Sequence, residues 1–362
     1  MKPMRVLAVA GTILALAAGC AGERAMFRVG PDHAGLYPGV VVGAPERPVW
    51  SQALGEKSYS SPVVADGRVY IGTNAGSLYA LSRDDGSILW QHRTRGNIEA
   101  PPAVVDGRVI FGSWDGTVRA VEAASGEPVW RFETGGRVYS APSVAGDRVY
   151  VGSADGHVYA LDRASGEVAW KFNAGDRVYS SPTVNAGRVF FGSLNGNVYA
   201  VDGESGEEIW RYATGAPVLA TPAADRDVVA VGSYDNSMDL LDARMGTELW
   251  RFRTGNRIYG SASLTRDAVV FASTDGAVYA VARESGLKRW DFRTGDKVYS
   301  SPAVTPDTVY VGSTDGRLYA LDLTSGERYW AFETDGPVYA SPTLSATRLF
   351  FSSAEGTVYA LE

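Results

Sequence analysis

The chain has 362 residues, 45% hydrophobic and 21% charged, a globular balance that excludes disorder as its main state. Its 34 Lys and Arg face 41 Asp and Glu, a formal charge of −7, so no basic surplus exists to track a phosphate backbone and nucleic acid is not an expected partner. One cysteine, Cys20, and three histidines, His33, His92 and His157, exclude an internal disulfide framework and leave little material for a metal cluster.

The chain begins with an address. Lys2 and Arg5 precede an uncharged run from Val6 to Ala18, shorter than the ~20 apolar residues of a spanning helix and ending in small residues. Residues 1–20 therefore read as a signal peptide. The run continues as Leu16-Ala17-Ala18-Gly19-Cys20, which resembles the lipobox of bacterial lipoproteins, with the favoured leucine one place early. That resemblance implies that Cys20 is lipidated and becomes the mature N-terminus. Ala21 in place of aspartate implies, by similarity to Gram-negative lipoproteins, the outer membrane and a periplasm-facing protein. Plain secretion with an unmodified Cys20 is the alternative. Residues 21–45 read as an entry segment or as a Gly/Pro-rich tether.

From residue 46 onward one period governs the sequence. Trp50, Trp90, Trp130, Trp170, Trp210, Trp250, Trp290 and Trp330 recur every forty residues, the mark of a stacked-repeat architecture. Tyr59, Tyr139, Tyr179, Tyr259, Tyr299 and Tyr339 form a second column, and Tyr79, Tyr159, Tyr199, Tyr279, Tyr319 and Tyr359 a third. Each unit carries four short β-branched or aromatic runs broken by Gly, Asp or Ser clusters, as strands are. The turn Ala154-Asp155-Gly156 suits a tight hairpin that needs positive φ. Four-stranded units repeated radially make a β-propeller. Seven complete units run over 57–334, and the remainder, 337–362, stops before its tryptophan. Arg47 to Gln52 supplies the missing strand from the other end, closing a ring of eight blades and removing its exposed edges. The expected partner of Val49-Trp50-Ser51 is Val358-Tyr359-Ala360.

The stretch Ala160-Leu161-Asp162-Arg163-Ala164-Ser165-Gly166-Glu167-Val168-Ala169-Trp170 resembles the A-x-D-x-x-[ST]-G-x-x-x-W motif of pyrroloquinoline-quinone-like (PQQ-like) propeller repeats. So do 200–210 and 320–330, with degenerate copies elsewhere. The resemblance implies that the eight tryptophans dock between neighbouring blades as structural residues. Met26-Phe27-Arg28 and Asp32-His33-Ala34-Gly35 resemble the entry segment that often precedes such propellers.

Quinoprotein alcohol dehydrogenases of similar fold carry a vicinal cysteine pair, a calcium site and long insertions. This chain has one cysteine and units of a bare forty residues, so neither catalytic residues nor a cofactor nor a metal is expected. Asp115, Asp155, Asp235, Asp275, Asp315 and Glu355 recur in the loop after the second strand of a blade. They are expected to act as turn residues that bind their own backbone rather than as acid/base pairs or calcium ligands. Lys57, Arg137, Arg177, Arg257 and Lys297 lie in the loops entering the innermost strands, on the same rim. They suit either an anion at the channel mouth or local pairing with the acidic ring. The aromatic columns are expected to be core packing between blades.

Blades two and five depart from the repeat, with Glu99 and Arg119, and Leu219 and Asp239, where tyrosines belong. At the hairpin tips Trp114, Leu194 and Tyr234 replace small residues. With nothing in their own blade to pack against, these three are expected to be exposed and to bind a protein partner. A cover by residues 26–39 is the competing expectation. Lipobox, length and eight blades together resemble the BamB family of outer-membrane assembly lipoproteins. The function expected is a non-catalytic, lipid-anchored scaffold binding envelope proteins; the alternative is a PQQ- or small-ligand-binding protein.

Overall fold

The structure, a computed structural model, describes residues 25–37, 43–45, 47–345 and 347–362. Cys20 and the signal peptide lie outside the described residues. All regular secondary structure among them is strand, arranged as eight four-stranded antiparallel sheets. Blade three is typical, with strands Ser143–Ala145, Arg148–Gly152, His157–Asp162 and Val168–Asn173 from the channel outward. Its two middle strands carry β-branched and aromatic residues on both faces and are almost wholly buried. They must be, because each sheet packs a neighbouring blade on either side.

The ring closes as the sequence requires. Trp50–Ala53 pairs antiparallel with Thr357–Leu361, with Trp50 opposite Ala360 and Ser51 opposite Tyr359. Seven of the eight repeated tryptophans then dock on the next blade in one way. Trp130 donates from Nε1 to the Arg163 carbonyl at 3.0 Å, and its ring lies against Gly166. Gly166 has φ +76°, and a Cβ there would stand 2.6 Å from Trp130 Cε3. The motif glycine thus serves both the turn and the tryptophan.

Hydroxyls stitch the blades around the channel. Ala141 N–H donates to Ser181 Oγ, Ser301 N–H to Ser341 Oγ and Ser341 N–H to Ser61 Oγ, at 2.8–2.9 Å. The last of these bonds joins blade eight to blade one.

Residues 25–37 run through the channel rather than outside it. Ala25 makes an antiparallel bridge to Val104 of blade two, and Leu36 a parallel bridge to Val304 of blade seven. Between them, carbonyls of Pro31, Asp32, Ala34 and Gly35 accept the N–H groups of Val184, Ala224, Leu264 and Val304. Met26 packs into blades two and three and Tyr37 into blades seven and eight. His33 is fully buried, with Nδ1 2.9 Å from the Phe27 carbonyl and Nε2 2.7 Å from Ser143 Oγ. Burial, ahead of the neighbouring Arg28 charge, pushes its pKa down to about 4. Arg28 is buried as well and donates from Nη2 to Ser263 Oγ at 2.6 Å. The innermost strands all run the same way through the ring. The two bridge senses therefore bring the segment in and out through the end that carries the hairpins between first and second strands.

Candidate interaction rim

The opposite end of the ring carries the hairpins between second and third strands and the loops that enter each innermost strand. The recurrent acids sit here and hold these two elements together. Asp155 Oδ2 accepts Gly135 N–H and Tyr159 O–H, both at 2.7 Å, and its Oδ1 accepts His157 N–H at 3.0 Å. Asp275 and Asp315 repeat the arrangement with Tyr279 and Tyr319. Burial works against the Asp155 carboxylate, but the bonds from Tyr159, Gly135 and His157 hold its pKa below the ordinary value. These three acids are turn residues that also anchor tyrosines of the third column; Asp115 instead accepts from Arg119, Asp235 from Ser237 N–H within its own hairpin, and Glu355 pairs with Lys57.

The second tyrosine column differs from the expectation of packing between blades. These tyrosines lie in the entry loops, outside the strands, and their rings meet around the channel mouth. Centroids are 4.9 Å apart for Tyr59–Tyr339, 5.3 Å for Tyr299–Tyr339, 4.9 Å for Tyr259–Tyr299 and 4.3 Å for Tyr139–Tyr179. The reason is local: the loop turns this position toward the axis before the strand begins.

The hairpin residues extend the same belt. The N–H groups of Trp114, Leu194 and Tyr234 bond the carbonyls of Asn97, Arg177 and Pro217, so the three occupy equivalent places. They are half-buried rather than exposed. Trp114 rests on Tyr139 and Tyr234 on Tyr259, each with centroids 4.7 Å apart. The expected exposure fails for Trp114 and Tyr234 because, although neither ring is paired within its own blade, the entry loop of the following blade covers it. Residues 25–37 do not reach them, since that segment leaves by the other end.

The cations follow the aromatics more than the acids. The Arg137 guanidinium lies 5.1 Å from the Trp114 ring centroid, Arg257 4.7 Å from Tyr234 and Arg177 6.0 Å from Tyr179. Arg177 also pairs with Asp176 at 3.5 Å, and Lys57 with Glu355 at 3.8 Å. Lys297 is exposed beside Asp296. The five cations spread around the mouth and do not converge on one point.

Blades two and five interrupt the belt and compensate locally. Glu99 replaces a mouth tyrosine, and burial raises its pKa while Asn97 Nδ2 donates to it at 3.2 Å. Arg119 takes the role of a column-three tyrosine and donates to Asp115 Oδ2 at 2.7 Å. Asp239, fully buried, accepts Arg251 Nε at 2.7 Å, and Arg251 Nη2 reaches Tyr212 Oη at 2.7 Å. Desolvation pushes the Asp239 pKa up to about 6 against the pull of Arg251. The sequence marks both positions as departures but does not pair Asp239 with Arg251.

The mouth therefore offers flat aromatic faces backed by guanidinium groups, a surface suited to stacking against protein side chains. Among the described residues no group of three His, Cys, Asp or Glu is placed to hold a metal ion.

Two family models match the sequence. One, described as the beta-propeller of the beta-alanine-activating enzyme, covers residues 146–362. The other, described as outer membrane protein assembly factor BamB, matches 39–100 and 94–178. No curated protein matches by sequence. Among solved structures, BamB from Moraxella catarrhalis is 22% identical with a TM-score of 0.76, covering 89% of this chain and 100% of its own. The computationally designed Ika8 protein is 17% identical with a TM-score of 0.79, covering 87% and 99%. Quinohemoprotein alcohol dehydrogenase from Comamonas testosteroni is 15% identical with a TM-score of 0.78, covering 92% of this chain and 79% of its own. These likenesses establish the fold.

Proposed function

Given that the chain belongs to a PQQ-like β-propeller repeat family, matched over 146–362 by the propeller model of the beta-alanine-activating enzyme and over 39–178 by the BamB model, we propose that it is a non-catalytic scaffold of the cell envelope. In this reading the aromatic mouth binds a protein partner, Cys20 carries the lipid that holds the protein at a membrane, and the partner belongs to the machinery of outer-membrane protein assembly. The assembly reading draws on the family model over 39–178.

The observation that carries it is the grouping of Trp114, Tyr234 and the mouth tyrosines at one end of the ring, with Arg137 and Arg257 stacked on them. Trp, Tyr and Arg are the residue types that dominate binding energy at protein interfaces. The entry segment occupies the channel from the other end, so a partner meets this mouth as a rim rather than as an open pore. Crosslinking in intact cells followed by mass spectrometry identifies the partner. The double variant Trp114→Ala with Tyr234→Ala should then lose it while keeping a melting temperature within a few degrees of the parent. Full retention of the partner would overturn the assignment.

A further inference from the structure

The end of the ring opposite the aromatic mouth carries an apolar girdle that the proposed function leaves unused. Of eleven large hydrophobic residues exposed among the described residues, only Tyr59 lies at the mouth; the other ten lie toward the opposite end. Val49, Leu89, Val168, Ile209, Leu249 and Tyr329 stand at or just before the first residues of outermost strands. These strands start at the end where the entry segment enters. Leu287 provides the same feature in blade six at 70% exposure, and Met245 adds to blade five at 67%. Val29 of the entry segment is exposed at this end too. Between blades six and seven a groove of about 540 Å³ opens beside the segment, lined by Leu36, Tyr37, Val304, Pro306 and Leu323 among others.

The N-terminal chain connects to this same end. Ala25 runs antiparallel to the innermost strand of blade two, so the described chain enters the channel from the girdle end. Five residue steps separate Cys20 from Ala25, and an extended chain covers at most ~3.6 Å per residue, about 18 Å in all. An acyl chain on Cys20 would thus hold this end, and not the mouth, within a short reach of the bilayer.

The geometry points to a docked orientation: the girdle end rests in the interfacial region of a lipid bilayer, and the aromatic mouth faces away from it. The inference rests on the reading of Cys20 as the lipidated residue. Scattered exposed apolar residues are ordinary on a soluble surface. Ten at one end, together with the entry point of the anchored chain, are what an interfacial surface requires.

The test uses full-length protein purified from membranes and reconstituted in phosphatidylcholine–phosphatidylglycerol vesicles. An environment-sensitive fluorophore is attached at Leu249→Cys or, separately, at Lys297→Cys. Mass spectrometry of the N-terminal peptide reports acylation of Cys20 independently. With Cys20 acylated, the Leu249→Cys label should shift to the blue and lose most of its emission to a lipid-borne quencher, while the Lys297→Cys label does neither. Quenching at Lys297→Cys, or at neither site, overturns the orientation and leaves the anchor standing. If Cys20 proves unmodified, the anchor reading fails. The same labels in a Cys20→Ser background then decide the surface by vesicle flotation: flotation with Leu249→Cys quenched supports it, and no flotation overturns it. Concentration-dependent shielding of Leu249→Cys without lipid, with sedimentation as a dimer, assigns the girdle to a second copy of the chain and also overturns the proposal.

Discussion

At the scale of single residues, the repeat fixes what each position must do. Gly166 has φ +76° and lies under the Trp130 ring. Gly166→Ala should therefore cost more than the roughly 1 kcal/mol of an incompatible φ alone, because the tryptophan must also give way; denaturant unfolding measures it. His33 makes a second prediction. Its folded pKa of about 4 lies below the ordinary histidine value of 6.5, so between those values the unfolded chain binds more protons. Stability from its neutral burial is present above pH 6.5 and lost as pH falls toward 4, by up to roughly 3 kcal/mol. Asp239, raised to about 6, contributes with the opposite sign, its stability being lost as pH rises through 6. Arg28 acts on the imidazole, and burial raises the pKa of the neighbouring Asp32, whose charge couples to Arg28. The comparison that isolates His33 is the difference in melting temperature between wild type and His33→Asn. Wild type should lose more than the variant between pH 7 and 4.5, and equal losses would show that His33 does not titrate in this way. The burial of His33 was not legible in the sequence: residues 21–45 read as either an entry segment or a tether, and the burial arises from blades three and four closing around the imidazole.

At the scale of elements, the forty-residue period makes the four-strand units, their turns and the closing register readable from the sequence. Tryptophan spacing and the missing fourth strand of the last unit leave only one way to pair the ends. Deleting residues 46–54 should accordingly lower the melting temperature sharply or cause aggregation, since Trp50 is 8% exposed and losing one buried tryptophan typically costs ~3–5 kcal/mol. An unchanged melting temperature would contradict the closure by Trp50–Ala53. The two tyrosine columns were harder to tell apart because they share a residue type. The third lies within strands, where Tyr159 packs on Phe132 and binds Asp155. The second lies in loops whose direction no periodicity reveals. The girdle is not visible in the period either: Leu89 and Ile209 lie at the starts of outermost strands, whose free edge meets solvent.

At the scale of the whole molecule, the two ends of the ring have different chemistry. One end holds the aromatic mouth with its stacked arginines; the other holds the entry segment and the apolar girdle. If the mouth binds the partner and Cys20 holds the membrane, the two activities are separable by mutation. Cys20→Ser should move the protein from the membrane to the soluble fraction, because stable anchoring needs its acyl chains, yet it should still capture the crosslinked partner in detergent extract. Trp114→Ala with Tyr234→Ala should do the reverse, staying at the membrane and losing the partner. Fractionation and copurification, run on both variants in parallel, read the two outcomes independently. Membrane retention of Cys20→Ser would show that the lipid is not the main anchor. Loss of partner capture by Cys20→Ser in detergent would place the binding surface at the girdle end, because the mouth lies across the ring from the anchor.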